Sequence, residues 1–136
     1  MGRTFIIHTD GGSRNNPGPT AIGVVIEEQG KTVDSFGRFM GERMTNNQAE
    51  YLAVEAALIR AKELGGTTIE FYLDSTLVAS QLKREFKVKD AELGKIFLRA
   101  WNLMQGFSKV TFTAIPREQN KEADRLVNKA LDQAGY

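Results

Sequence analysis

An apolar strand near the N-terminus ends on an acid, and that feature restricts where the strand can lie. Residues 3–10 carry the β-rich run Phe5-Ile6-Ile7 and finish on Asp10. Alternation places Phe5, Ile7 and Thr9 on one face and Ile6, His8 and Asp10 on the other. Gly11-Gly12-Ser13-Arg14-Asn15-Asn16-Pro17-Gly18-Pro19 follows, with the composition of a loop. Burying a carboxylate on a core strand is costly unless a cation answers it. The strand end therefore needs either a charged site or a plain solvent turn, and Asp-Gly is a common hairpin turn signal. This segment alone leaves both open; the other acids of the chain decide.

Thr20 to Glu28 (TAIGVVIEE) predicts a second strand, Gln29-Gly30-Lys31 a turn, and Thr32 to Met40 a third strand, together an antiparallel meander. Thr45 or Asn46 can then cap a helix that runs Ala-rich to Leu64, with Gly65-Gly66 as its stop. At 100° per residue Glu50 lines up with Ala53, Val54, Ala57 and Ala61, so it heads the apolar face. An acid in a first helical turn also complements the macrodipole, and the helix by itself allows either reason.

Thr67 to Leu73 predicts a fourth strand, closed by Asp74, with Ser75 as cap of a helix over about 76–86. An acid at the carboxyl end of a strand is where open α/β sheets place ligand chemistry, although Asp-Ser also suits a simple cap. Lys83, Arg84, Lys87 and Lys89 surround Phe86 and Val88, either as a solvated helix end or as a phosphate-tracking surface. Residues 90–105 predict an amphipathic helix with Leu93, Ile96, Phe97, Ala100, Trp101 and Met104 as its core stripe. Lys109 to Ile115 predicts the fifth strand, stopped by Pro116. The last helix, about 119–134, sets Asp124 among Ala123, Leu126, Val127, Ala130 and Leu131.

Four elements thus each offer one inward or strand-end acid: Asp10, Glu50, Asp74 and Asp124. Converging carboxylates repel one another, and bound divalent cations remove that penalty. The chain has no Cys and a single His, which excludes thiolate and His-rich metal sites and leaves hard oxygen ligands suited to Mg²⁺ or Mn²⁺. With four of the 17 acids withdrawn into one site, 18 cations face 13 acids elsewhere, a surface suited to a polyanion. The 136 residues suit one domain. No apolar run approaches a membrane span and no secretory leader pattern is present, so a cytoplasmic location is expected.

Thr9-Asp10-Gly11-Gly12-Ser13 with Asn16-Pro17-Gly18-Pro19, Thr45-Asn46-Asn47-Gln48-Ala49-Glu50, Asp74-Ser75-Thr76-Leu77-Val78 and Asn120-Lys121-Glu122-Ala123-Asp124 resemble the four signature segments of type 1 ribonuclease H. They occur in that family's order and at its approximate spacings, across essentially the whole chain. The resemblance implies an α/β fold: a mixed five-stranded sheet of order 3-2-1-4-5, strand 2 antiparallel, with helices on both faces. It implies a single catalytic domain over residues 1–136, acting as a monomer. The activity it implies is endonucleolytic hydrolysis of the RNA strand of an RNA–DNA hybrid, leaving 5′-phosphate and 3′-hydroxyl ends. By the same resemblance Asp10, Glu50, Asp74 and Asp124 hold two Mg²⁺ ions, with Mn²⁺ as a substitute. One ion prepares the attacking water and the other stabilises the leaving oxygen. The Glu50 counterpart also approaches the 2′-hydroxyl, which only RNA offers. Asn16, Asn46 and Asn47 match positions that contact the hybrid in its minor groove, and Thr45 matches a residue that grips a DNA-strand phosphate.

The chain departs from the family pattern in three places. Many members carry a His in the loop before the last helix; here the loop is Ile115-Pro116-Arg117-Glu118-Gln119, like that of archaeal and some bacterial members. Arg117 is the candidate stand-in, able to steer a phosphate but not to act as a base at neutral pH. Gln48 occupies a substrate-contact position where many members have Arg. The long basic protrusion of some bacterial members is short or absent, and residues 83–89 are expected to take part of its place. A separate N-terminal hybrid-binding domain is not expected, nor is processivity. Three rivals remain: a nuclease of the same fold that also cuts double-stranded RNA, a non-catalytic hybrid-binding module, and a nucleotide cradle. The module would be marked by loss of acids, and the cradle lacks a P-loop Lys and continues into strand.

Overall fold

The computed structural model describes residues 2–84 and 87–136. Its strands are β1 (Thr4–Ser13), β2 (Gly18–Glu28), β3 (Lys31–Met44), β4 (Thr68–Leu73) and β5 (Lys109–Ala114). Its helices are α1 (Asn46–Glu63), α2 (Thr76–Leu82), α3 (Ala91–Met104) and α4 (Lys121–Gln133), with one 3₁₀ turn at Arg117–Gln119. The strands form one sheet in the order β3-β2-β1-β4-β5. β2 runs antiparallel to both β1 and β3, whereas β1, β4 and β5 are mutually parallel. This is the expected mixed sheet.

The two faces are covered differently. Phe5, Ile7, Ile22, Val24, Ile26, Ile69 and Phe71 pack under α1, with α2 and α3 extending the same core. α4 closes the opposite face through Ala123, Leu126, Val127, Ala130 and Leu131 against Ala21 and Val25. α1 is buried on more than one side, since Tyr51 and Leu58 are as inaccessible as Ala53 and Ala57. Sandwiched between sheet and α3, it has no need of a solvent stripe along most of its length.

Several elements differ in extent from the sequence reading. β1 continues through the glycines to Ser13 because Gly11, Gly12 and Ser13 pair with Ile22, Ala21 and Thr20. β3 continues to Met44, which pairs with Gly18 across bulged register. α2 stops at Leu82: Lys83 is its C-cap, and Arg84 adopts a left-handed φ of 67°. Glu85 and Phe86, the end of the helix expected over 76–86, lie outside the described residues. In α3 only Ile96 and Ala100 are buried. Trp101 is half-buried, stacked on Phe97 and covered by the Arg84 guanidinium 4.9 Å from its ring centre.

Candidate active site

Parallel register brings the first two acids together. β1 and β4 align His8 with Tyr72, whose rings stack at 5.4 Å; two residues further on stand Asp10, still in β1, and Asp74, just past the end of β4. The period-two alternation of strands puts His8, Asp10 and Tyr72 on the α4 side. Two glycines then admit the helices that bring the other acids. A Cβ at Gly11 would lie 2.3 Å from the Ala49 carbonyl carbon, so only glycine lets α1 approach β1 closely enough to deliver Glu50. A Cβ at Gly23 would lie 2.2 Å from the Ala123 oxygen, so the same device seats the start of α4, and with it Asp124.

One oxygen each from Asp10, Glu50 and Asp74 lie within 4.8 Å of one another. Asp124, half-buried, lines the same cavity of about 430 Å³ from α4, beside Asp10 and outside that closest trio. Arg117 lines it too, at 3.8 Å from Asp124, with its side chain 81% exposed. All five expected catalytic residues therefore share one cavity, three of them in contact range.

Burial dominates the electrostatics. It pushes Asp10 up to about 7, reinforced by the charges of Asp74 and Asp124. Glu50 is held well above the usual carboxylate range by burial first and by Asp10 second. The Gly11 amide donates to Glu50 Oε1 at 2.7 Å, while Oε2 is buried with no partner among the described residues. A buried carboxylate oxygen left without a donor, on a residue clustered with two more carboxylates, fits a divalent cation with oxygen ligands. Asp10, Glu50 and Asp74 are the residues that could hold one, with Asp124 at its side.

Asn120 escaped the sequence reading as a site residue. It is 1% exposed, and its Nδ2 donates to the Thr9 carbonyl at 2.8 Å and to Asp74 Oδ2 at 3.1 Å. An Asn just before a helix reads as an N-cap, yet this side chain makes no capping bond. The available signal pointed to the wrong partner.

The expected substrate residues gather beside the acids. Asn16, Thr45, Asn46, Asn47 and Gln48 line a second cavity of about 550 Å³, and Asn46 and Asn47 also line the first. Thr45 and Gln48 are committed to a capping box: Thr45 Oγ1 accepts from the Gln48 amide and Gln48 Oε1 from the Thr45 amide. The Asn46 amide donates to Asn16 Oδ1 at 3.0 Å, and the Ser13 amide to Asn46 Oδ1 at 2.8 Å. Both side-chain amides are thus oriented by their oxygens, and their NH₂ groups have no hydrogen-bond acceptor among the described residues. His8 is half-buried at 4.0 Å from Glu27, and burial lowers its pKa. It is a packed strand residue.

Residues 8–130 match a protein family described as reverse transcriptase-like. The chain is 44% identical over 126 residues to ribonuclease HI of Halobacterium salinarum, a match covering 92% of this chain and 63% of that protein. The crystal structure of that archaeon's RNase H1 superposes with a TM-score of 0.92, at 41% identity over 96% of this chain and 98% of that one. A ribonuclease H of Paracidovorax citrulli is 32% identical over 148 aligned positions, covering 95% of each protein. LC11-RNase H1, solved in complex with an RNA/DNA hybrid, superposes with a TM-score of 0.90 at 38% identity, over 96% of this chain and 98% of that one. The chain thus spans less than two thirds of the full haloarchaeal relative.

Proposed function

This chain belongs to the ribonuclease H family, and on that footing we propose that it is an endoribonuclease hydrolysing the RNA strand of RNA–DNA hybrids. The observation that carries this reading is the convergence of Asp10, Glu50 and Asp74, one oxygen of each within 4.8 Å of the others, with Glu50 Oε2 buried and without a hydrogen-bond partner among the described residues. Two Mg²⁺ ions, replaceable by Mn²⁺, are the proposed occupants of Asp10, Glu50, Asp74 and Asp124. Bound there, they supply Lewis acidity and neutralise charge during phosphodiester hydrolysis.

The chain's own groups do the positioning. Asp10 is the central carboxylate, flanked by Glu50, Asp74 and Asp124. Glu50, aimed by the Gly11 amide, also meets the ribose 2′-hydroxyl next to the scissile bond, which selects RNA. The free NH₂ groups of Asn16, Asn46 and Asn47 donate to minor-groove acceptors, which every base pair offers, so contact is independent of sequence. Thr45 and Gln48, rigid in their capping box, present the α1 N-terminus to a phosphate of the DNA strand. Arg117, beside Asp124, steers the phosphate of the cut strand. The products carry 5′-phosphate and 3′-hydroxyl ends. A single catalytic domain over residues 1–136, monomeric and cytoplasmic, completes the reading. No helix among the described residues is long and apolar enough to cross a membrane.

The test is cleavage of end-labelled RNA–DNA, RNA–RNA and DNA–DNA duplexes with Mg²⁺, Mn²⁺ or EDTA. Hybrid cutting in the RNA strand, dependent on metal, is expected. Equal cutting of DNA–DNA would overturn the substrate, and cutting of RNA–RNA would widen it to double-stranded RNA. Binding of hybrid without cutting under any metal would favour a non-catalytic module.

A further inference from the structure

We propose that Arg14 grips a non-scissile phosphate of the RNA strand, a contact that rests on the hybrid-cleaving reading of the site. Arg14 lines the same cavity as the acids and contacts Asn128 of α4, which lines it too. It follows Asp10 by four residues, so the two backbones stand at most about 14 Å apart along extended chain. A strand whose phosphate sits on the acids carries further phosphates within that reach.

The guanidinium is held ready for such a ligand. Its Nη2 lies 3.0 Å from Asp132 Oδ1 and 3.3 Å from Asn128 Oδ1, and its Nη1 donates to the Tyr136 carbonyl. The Arg14 amide donates to the Pro19 carbonyl at 2.9 Å, fixing the loop that carries the side chain. Tyr136 in turn stacks on Phe39 at 5.6 Å. Arginine has five N–H donors; three are engaged by these acceptors among the described residues, which leaves two. The side chain keeps 35% of its surface accessible. An arginine fixed in place before binding loses little freedom on gripping a phosphate. Asp132, with its side chain 68% exposed, sets the direction of the guanidinium without neutralising it firmly, since exposed ion pairs are weak.

The test is an anisotropy titration of labelled hybrid by the whole protein in EDTA, between about 50 and 200 mM KCl. Arg14→Gln is expected to weaken binding about five- to tenfold and to flatten the log Kd against log salt slope by about one. Arg14→Lys keeps the charge and restores the slope, and Lys31→Gln, at the β2–β3 turn, behaves as wild type. Replacing phosphates of the RNA strand by uncharged methylphosphonates abolishes the difference between Arg14→Gln and wild type, whereas the same change in the DNA strand leaves it. Melting temperatures of all variants are read in parallel. A lowered melting temperature with the wild-type slope would overturn the contact and leave Arg14 as an anchor for α4. A difference abolished only by DNA-strand methylphosphonates would equally overturn it. Metal-dependent hybrid cleavage by the same wild-type preparation separates these results from failure of the substrate reading.

Discussion

Asn120 Nδ2 stands 3.1 Å from Asp74 Oδ2 and 2.8 Å from the Thr9 carbonyl, so one buried amide ties the middle of β1 to the acid just past the end of β4. A buried hydrogen bond to a charged group is worth about 1.5–3 kcal/mol. Asn120→Ala should therefore lower stability by about that much and reduce kcat roughly tenfold by releasing Asp74. Melting and steady-state kinetics check this; unchanged kcat with lowered stability would confine Asn120 to a structural role.

Gly11→Ala probes how Glu50 is delivered. The added methyl would meet the Ala49 carbonyl carbon at 2.3 Å, backbone that cannot swing aside. Forcing α1 outward should cost about 1–3 kcal/mol and carry Glu50 away from Asp10. Loss of activity beyond what the melting temperature explains is the expected outcome.

Stability without metal should fall as pH rises. Asp10 is raised from 3.8 to about 7, and Glu50 is raised as well. Between about pH 4 and pH 7 the folded chain therefore binds more protons than the unfolded one, and each such group removes up to about 1.4 kcal/mol of stability per pH unit. Melting in EDTA should thus be higher at pH 5 than at pH 8. Saturating Mg²⁺ should flatten the dependence, as should Asp10→Asn. A melting temperature that rises with pH across this window would contradict the buried, mutually repelling acids.

Arg117→Ala should lower activity only modestly, about threefold, because its side chain is largely exposed and its 3.8 Å approach to Asp124 is loose. Rates are to be compared across pH; identity with wild type throughout would remove Arg117 from the site.

Much of this site was legible in one dimension. Glu50 on an apolar helical stripe, Asp124 on another and Asp74 at a strand end were inward-pointing positions before any fold was in hand. The strand limits were not, because Gly11, Gly12 and Ser13 have loop composition and become strand only through pairing with Ile22, Ala21 and Thr20. Asn120 was masked by its position at a helix start, where a cap is the commoner role. The side-chain partners of Arg14 lie 114 or more residues away, beyond any local pattern. Residues set by propensity and period were readable; those set by long-range contact were not.

The most direct measurement follows the RNA strand of a uniform hybrid on a gel, comparing wild type with Asp10→Asn, in Mg²⁺ and in EDTA, and probing the product ends. Wild-type cleavage in Mg²⁺ alone, with 3′-hydroxyl products that a polymerase can extend, and no cleavage by Asp10→Asn is the predicted result. Cleavage in EDTA, activity retained by Asp10→Asn, or cyclic-phosphate ends would contradict metal-dependent hydrolysis at these acids.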